Sequence, residues 1–205
     1  MEIKTLPVGP FGTNCYLAWL AGAETLCVID PGAEPLTIAA EAKKFPAKRT
    51  VILLTHAHVD HISGLGKLCE LLQPDAVYLD ADDLKLYHSP LNALEPWFPA
   101  AENLPGTTED PAVGGMKVLK LPGHTRGGAG FYFPADQVLF SGDSIFAGSV
   151  GRTDLPGGDW QSLQKSLREV VLQLPADTSI RPGHGPATTV GYEKATNPYL
   201  ASDSP

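Results

Sequence analysis

The sequence predicts an α/β fold, and three observations carry the prediction. Short runs rich in β-branched and aromatic residues, bounded by turn residues, read as strands. Three longer stretches repeat their apolar residues at three- and four-residue steps, as helices packed on a sheet do. Glycine (21) and proline (19) make up about a fifth of the 205 residues, yet they are dispersed between these runs as turn punctuation and never pooled into a linker.

Taken in order, residues 2–8, 14–20, 26–29, 50–54 and 76–79 have the β-branched and aromatic content and the flanking turn residues of strands, as do 116–121, 130–133, 138–140 and 179–181. Helical patterning is clearest over 35–44, 61–72 and 159–174. In the last of these Leu163, Leu167, Val170, Val171 and Leu174 recur at helical steps, and Asp159 is placed to cap the start, so this face should pack on a sheet. Residues 84–111 have no sustained period and contain Pro90, Pro96, Pro99 and Pro105 with Tyr87, Trp97 and Phe98. They read as a long surface excursion, a lid or an interface. A loose internal echo is also visible. Apolar runs end in "VIDPG" (28–32) and "LLTHAH" (53–58), and again in "LFSGD" (139–143) and "IRPGHG" (180–185), as two related halves would.

The length suits one domain spanning 1–205 with a substantial core. Fifteen basic against twenty-three acidic side chains give a formal charge of −8, with no Lys/Arg-rich run, which argues against a nucleic-acid or anionic-lipid partner. The first residues lack a basic segment followed by an apolar one, and no apolar stretch approaches the ~18 residues of a membrane span. A cytoplasmic protein is expected, monomeric or homodimeric, acting on a small molecule. Cys15, Cys27 and Cys69 are an odd number without a CxxC pair and read as reduced thiols, the first two in strand-like runs.

The chemistry is concentrated in "LLTHAHVDHISG" (53–64), which holds half of the six histidines. Crowding His56, His58, Asp60 and His61 together is unfavourable unless a cation sits among them. His124 in "LPGHTRGG", Asp143 in "FSGDS" and His184 in "RPGHGP" each follow an apolar run in a glycine-containing loop, where polar groups at strand ends can converge on one cleft. His88, in "LYHSP", reads as a solvated loop residue. Seven candidate ligands exceed the roughly three protein ligands of one catalytic zinc and suit two ions with a bridging carboxylate. Imidazole and carboxylate donors without thiolate fit zinc, iron or manganese. His56 and His58 project alike from extended backbone, while Asp60 and His61 stand where a helix begins.

His56-Ala57-His58-Val59-Asp60-His61 followed by His124, Asp143 and His184 closely resembles the metallo-β-lactamase superfamily. Within it, "LPGHTRGG", "SGDSIFAGSVGRTDLPGGD" and "RPGHGPATTVGYEKATNPYL" resemble the compact glyoxalase II-like hydrolases, over essentially the whole chain. The resemblance implies an αββα sandwich of two mixed β-sheets flanked by helices, with two divalent metal ions, zinc being the leading candidate. It places the first ion on His56, His58 and His124, the second on Asp60, His61 and His184, and Asp143 as the bridge. It implies hydrolysis of thioesters such as S-lactoylglutathione by a metal-bound hydroxide; Asp60, on a metal and beside that hydroxide, is the group placed to orient it and pass its proton.

The sequence departs from glyoxalase II proper, which adds a helical C-terminal domain that helps to hold glutathione. This chain runs only to Pro205, and Arg152-Thr153-Asp154 stands at the Lys-x-Tyr glutathione contact. Arg152 has two readings of equal weight, a clamp on a substrate carboxylate or phosphate, or a salt bridge to Asp154 or Asp159. Asp30 either orients a ligand histidine or simply opens the Pro-Gly turn, the second being preferred. Tyr87, Trp97 and Phe98 either line a substrate mouth, form a self-association patch or serve loop packing. A persulfide dioxygenase of the same fold, with one iron on His56, His124 and Asp143, is the alternative function.

Overall fold

The computed structural model describes residues 1–94, 96 and 98–200, which fall into two compact units, Met1–Gly114 and Gly115–Pro205. The first is built on β1 (Glu2–Val8), β2 (Thr13–Leu20), β3 (Thr25–Ile29), α1 (Pro35–Ala42), β4 (Arg49–Leu53), α2 (Val59–Ile62), α3 (Leu65–Leu72), β5 (Ala76–Tyr78) and α4 (Leu84–Tyr87). Its five strands lie in chain order in one sheet, β1/β2 and β2/β3 antiparallel, β3/β4 and β4/β5 parallel. The tight β1–β2 turn uses Gly9 and Gly12, both at positive φ (66° and 63°), which glycine adopts at little cost. Register aligns Leu17 with Val28 and Val28 with Ile52, and these side chains share one buried cluster with Ile38 of α1 and Leu65 and Leu68 of α3. Every residue of β3 is buried, as expected of a strand covered on both faces.

The second unit comprises β6 (Lys117–Lys120), β7 (Ala129–Phe133), β8 (Val138–Gly142), β9 (Ile145–Phe146), β10 (Ser149–Val150), α5 (Trp160–Glu169), β11 (Ser179–Pro182), β12 (Thr188–Thr189) and α6 (Val190–Thr196). The larger sheet has the order β12-β11-β8-β7-β6, with β6/β7 and β7/β8 antiparallel and β8/β11 parallel, while β9 and β10 form a small ribbon. The two units thus repeat one scheme: a three-strand meander, then a helical crossover to a parallel strand. Both sheets are mixed, as expected. The echo seen in the sequence marks equivalent points of the scheme. Asp30 and Asp143 follow β3 and β8, and His56 and His184 follow β4 and β11.

The strands read from sequence are present within about two residues, whereas β9, β10 and β12, at two residues each, are too short to show a period. The helix expected over 61–72 is instead α2 and α3, interrupted at Ser63 and Gly64. There the Gly64 N–H donates to the Pro31 carbonyl (3.0 Å) and the Ser63 hydroxyl to that of Gly32, so the break docks the Asp-Pro-Gly turn. A side chain at Gly64 would put Cβ 2.6 Å from the Pro31 oxygen. The helix expected over 159–174 ends at Glu169 and continues as a 3₁₀ turn, Val171–Gln173, because Leu174, before Pro175, must be extended.

Asp159 does cap α5, accepting the Ser162 N–H at 2.7 Å. Leu163, Leu167 and Val171 are buried with Leu121, Leu139 and Ile180. Leu167→Ala is therefore expected to destabilise the protein by about 2–5 kcal/mol, the range for a buried leucine truncated in a close-packed core. A fall in the denaturation midpoint, with metal content held constant, is the check.

The described residues of 84–111 are mostly exposed or half-buried, as expected of a surface excursion, but the stretch is anchored to the first unit. Tyr87 is 1% exposed, belongs to the first unit's core and donates its hydroxyl to the Pro105 carbonyl at 2.9 Å. Buried Asn92 bonds the Tyr87 carbonyl and the Ala101 N–H, and the Thr108 N–H donates to the Val77 carbonyl beside β5. Tyr87 is thus a packing residue and no part of a substrate mouth. Phe98 is half-buried, its ring 5.1 Å from that of Phe11, and Trp97 lies outside the described residues. Among the described residues no helix is long and apolar enough to cross a membrane.

Candidate metal centre

In the first unit, β4 delivers the chain into Leu54 and Thr55, then the extended run through His58, which immediately precedes α2. Asp60 and His61 lie in that short helix, in agreement with the sequence pattern. His56, His58, Asp60 and His61 are all buried. The His56 ring centroid is 4.9 Å from that of His58 and 4.1 Å from that of His61, while His61 Nε2 lies 3.6 Å from Asp60 Oδ2.

The tautomers in this group follow from one carboxylate. Asp30, 1% exposed, accepts the Thr55 N–H at Oδ1 (2.8 Å) and, at Oδ2, the Thr55 hydroxyl (2.6 Å) and His61 Nδ1–H (2.9 Å). An ionised carboxylate only accepts, so the proton of His61 sits on Nδ1. The Thr55 hydroxyl gives its single proton to Asp30 and so accepts from His56 Nδ1, 3.1 Å away. In both rings Nε2 then carries the lone pair that a metal requires. The preferred reading of Asp30 as a mere turn residue is corrected: it orients ligand histidines. Its left-handed backbone (φ 51°), uncommon outside glycine, is held in place by these three bonds.

Other supports carried no signal in the sequence. Thr13 donates to Asp60 Oδ2 at 3.2 Å, and buried Asp83 accepts the N–H of Ala57, between two of the histidines, at 3.0 Å. Gly32 permits the turn to lie against α2, since a Cβ there would fall 1.7 Å from the Asp60 carbonyl oxygen.

In the second unit, His124, Asp143 and His184 converge from the loops after β6, β8 and β11. Asp143 Oδ2 lies 3.7 Å from His124 Nε2 and 3.5 Å from His184 Nε2. His124 Nδ1 donates to the backbone carbonyl of Arg152 at 2.7 Å, which again leaves the lone pair on Nε2. Gly151 makes this approach possible: a side chain there would place Cβ 1.8 Å from the Asp143 carbonyl oxygen and 3.2 Å from His124 Nδ1. Buried Glu193 ties the neighbouring elements together, accepting the Gly148 N–H, the Thr188 hydroxyl and the Asn197 amide.

These residues fit divalent metal. Two ligand atoms on one tetrahedral ion, at bonds of about 2.0–2.1 Å, stand roughly 3.3 Å apart, close to the 3.5–3.7 Å between these imidazole nitrogens and carboxylate oxygens. Thiolate takes no part. Cys15 and Cys27 are buried in β2 and β3, half-buried Cys69 lies in α3, and all three are free. Burial pushes the thiols up, to about 12 for Cys27 and about 11 for Cys69.

Two candidates named from the sequence remain, His88 and the side chain of Arg152. His88 follows α4 and is exposed, in line with its reading as a solvated residue. The guanidinium of Arg152 is held by Asp154 through two bonds, Nε–Oδ1 at 2.6 Å and Nη2–Oδ2 at 2.7 Å, the salt-bridge alternative named from the sequence. That pairing pulls the Asp154 carboxyl down to about 2.

Comparison with known proteins bears on this arrangement as a whole. The family model described as the metallo-β-lactamase superfamily matches residues 8–184. The hydroxyacylglutathione hydrolase GloC of Haemophilus influenzae is 34% identical, over 100% of both chains. Among solved structures, TTHA1623 in a di-iron-bound form is 41% identical with a TM-score of 0.85, covering 96% of this chain and 100% of the other. The B3 metallo-β-lactamase BLEG-1 is 32% identical with the same TM-score of 0.85, covering 98% of this chain and 100% of its own. The expected fold is therefore shown, and the chain belongs to the metallo-β-lactamase superfamily, whose members are typically hydrolases.

Proposed function

We propose that the protein is a dinuclear metal-dependent hydrolase of thioesters, of which S-lactoylglutathione is the reference substrate. The observation that carries the proposal is the donor chemistry: His56, His61 and His124 each have Nδ1 committed to an acceptor, which directs Nε2 to metal. A relative named as a hydroxyacylglutathione hydrolase, similar along its full length, supports the substrate class. In this reading His56, His58 and His124 hold one ion, Asp60, His61 and His184 the other, and Asp143 serves both. Zinc, iron and manganese all suit this donor set, with zinc the leading candidate.

When bound, the ions supply a hydroxide nucleophile near neutral pH and polarise the substrate carbonyl. The chain's part is orientation and proton transfer. Asp60, steadied by Thr13, holds the nucleophile in line and takes its proton on a carboxylate oxygen. The thiol half then departs without a dedicated acid, since a thiol of pKa about 8.5 is a tolerable leaving group, whereas an alkoxide is far more basic.

Matched thioester and oxygen-ester pairs test the reading, together with a β-lactam and with glutathione persulfide in an oxygen electrode. Thioesters are expected to turn over faster than their esters, with about two ions per saturated chain by elemental analysis. Faster oxygen-ester hydrolysis would sink the leaving-group argument. Preferred β-lactam cleavage, or iron-dependent oxygen uptake with persulfide, would replace the thioesterase by a lactamase or by the one-iron oxygenase.

A further inference from the structure

A cavity of about 600 Å³ opens in the second unit, walled by Val150, Gly151, Arg152, Asp154, Trp160 and Tyr199 among others. Its wall is also the support of a candidate metal ligand, because the Arg152 carbonyl that faces one way to His124 Nδ1 belongs to the same backbone. A group bound in the cavity therefore lies against the backbone that supports His124, behind the ring nitrogen that faces away from metal. We infer that this cavity receives an uncharged, apolar or aromatic substituent of the substrate, and that Asp154 is the residue that sets this specificity. The inference rests on the thioesterase reading and narrows it, since S-lactoylglutathione, with two carboxylates on its thiol half, is then a reference and not the preferred substrate; the binding preference itself does not depend on that reading.

Two features argue for it. The cavity presents broad apolar surface: Trp160 and Tyr199 meet edge to face with centroids 6.4 Å apart at 75°, and Tyr199 is 45% exposed. An aromatic guest can stack or tilt against such a pair. The second feature is charge. Arg152 would make the cavity an anion site, but its guanidinium fork is filled by the two oxygens of Asp154. A carboxylate entering from solution must displace a carboxylate tethered two residues away, whose effective concentration is high. Once displaced, Asp154 repels it. The pair leaves this rim with no net charge, so a ligand with distal carboxylates gains little here.

Two matched probes that cannot be hydrolysed separate the alternatives, the S-benzyl and S-carboxymethyl thioethers of N-acetylcysteamine. Binding is read from the Trp160 indole N–H resonance and by calorimetry, on metal-free and metal-loaded protein. The wild type is expected to bind the benzyl probe at least fivefold more tightly than the carboxymethyl probe, with Trp160 shifted. Asp154→Asn, which frees the guanidinium while keeping the side-chain shape, should improve carboxymethyl binding by about two- to fivefold, the range for an exposed charge pair. Trp160→Ala should remove the benzyl preference without affecting the ratio change caused by Asp154→Asn. Equal or tighter wild-type binding of the carboxymethyl probe would overturn the inference, as would an Asp154→Asn protein with an unchanged ratio. Protein that shows the preference but cleaves no thioester upholds the cavity's assignment and defeats the hydrolase reading instead.

Discussion

Asp143→Ala is expected to lower occupancy at both metal sites and to reduce thioester kcat/KM by more than about 100-fold, beyond the 10–100-fold that losing an orienting partner of a ligand costs. The geometry behind this is one of its two oxygens, Oδ2, lying 3.7 Å from one imidazole nitrogen and 3.5 Å from another. In the proposed dinuclear reading a carboxylate so placed would be the shared member of two ligand sets, and its negative charge would offset two cations. His184→Ala should mainly empty one site, and Asp143→Asn, with similar shape but no charge, should resemble Asp143→Ala. Elemental analysis and metal titration decide. Asp143→Ala and His184→Ala proteins that lose the same single ion would contradict the shared role.

How much of this is legible in the sequence depends on whether a residue acts through its side-chain type or through its place in space. His56, His58, Asp60 and His61 were legible because imidazoles and a carboxylate crowded into six positions are costly to bury without a cation among them, and because strand-then-helix patterning around them was strong. His124, Asp143 and His184 were legible through their setting, a glycine loop after an apolar run. The weak echo had a physical basis: Asp30 and Asp143 end the first parallel strand of each unit, and His56 and His184 follow the second.

What stayed hidden was the support. The acceptor for His124 is a backbone carbonyl, which every residue has. Asp83 reaches Ala57 across 26 residues and Thr13 reaches Asp60 across 47, distances at which no local pattern exists. The anchoring of the 84–111 stretch leaves no sequence signal because it comes from side-chain bonds such as those of Asn92 and Tyr87 and from isolated backbone pairing, none of which is periodic. The role of Asp30 is concealed for a sharper reason. Aspartate before Pro-Gly is a strong turn signal in its own right, so the local role was sufficient and concealed the longer-range one.

Asp30→Asn provides the other large expected effect, a 10- to 100-fold loss of metal affinity at the group containing His61, the cost typical of removing a ligand's orienting carboxylate. The substitution is nearly isosteric, and asparagine tolerates the left-handed backbone that residue 30 adopts at φ 51°. Its amide nevertheless cannot serve the site. Three donors point at Asp30: the Thr55 N–H at Oδ1, and the Thr55 hydroxyl and His61 Nδ1–H at Oδ2. With the amide NH₂ in the Oδ2 position it faces the hydroxyl and the imidazole, and with the amide reversed it faces the backbone N–H. Either way a buried donor meets a donor, at a cost of about 1–3 kcal/mol. The simplest relief is for His61 to move its proton to Nε2, which removes the lone pair meant for metal. Thr55→Val separates the two branches of the relay. It takes the acceptor from His56 Nδ1 but keeps the residue 55 N–H on Asp30, so it should weaken the ion assigned to His56, His58 and His124 while sparing the other. Metal titrations of both variants, on protein whose circular dichroism matches the wild type, give the answer. Affinities within threefold of wild type for Asp30→Asn would show that the carboxylate does not set the histidine tautomers.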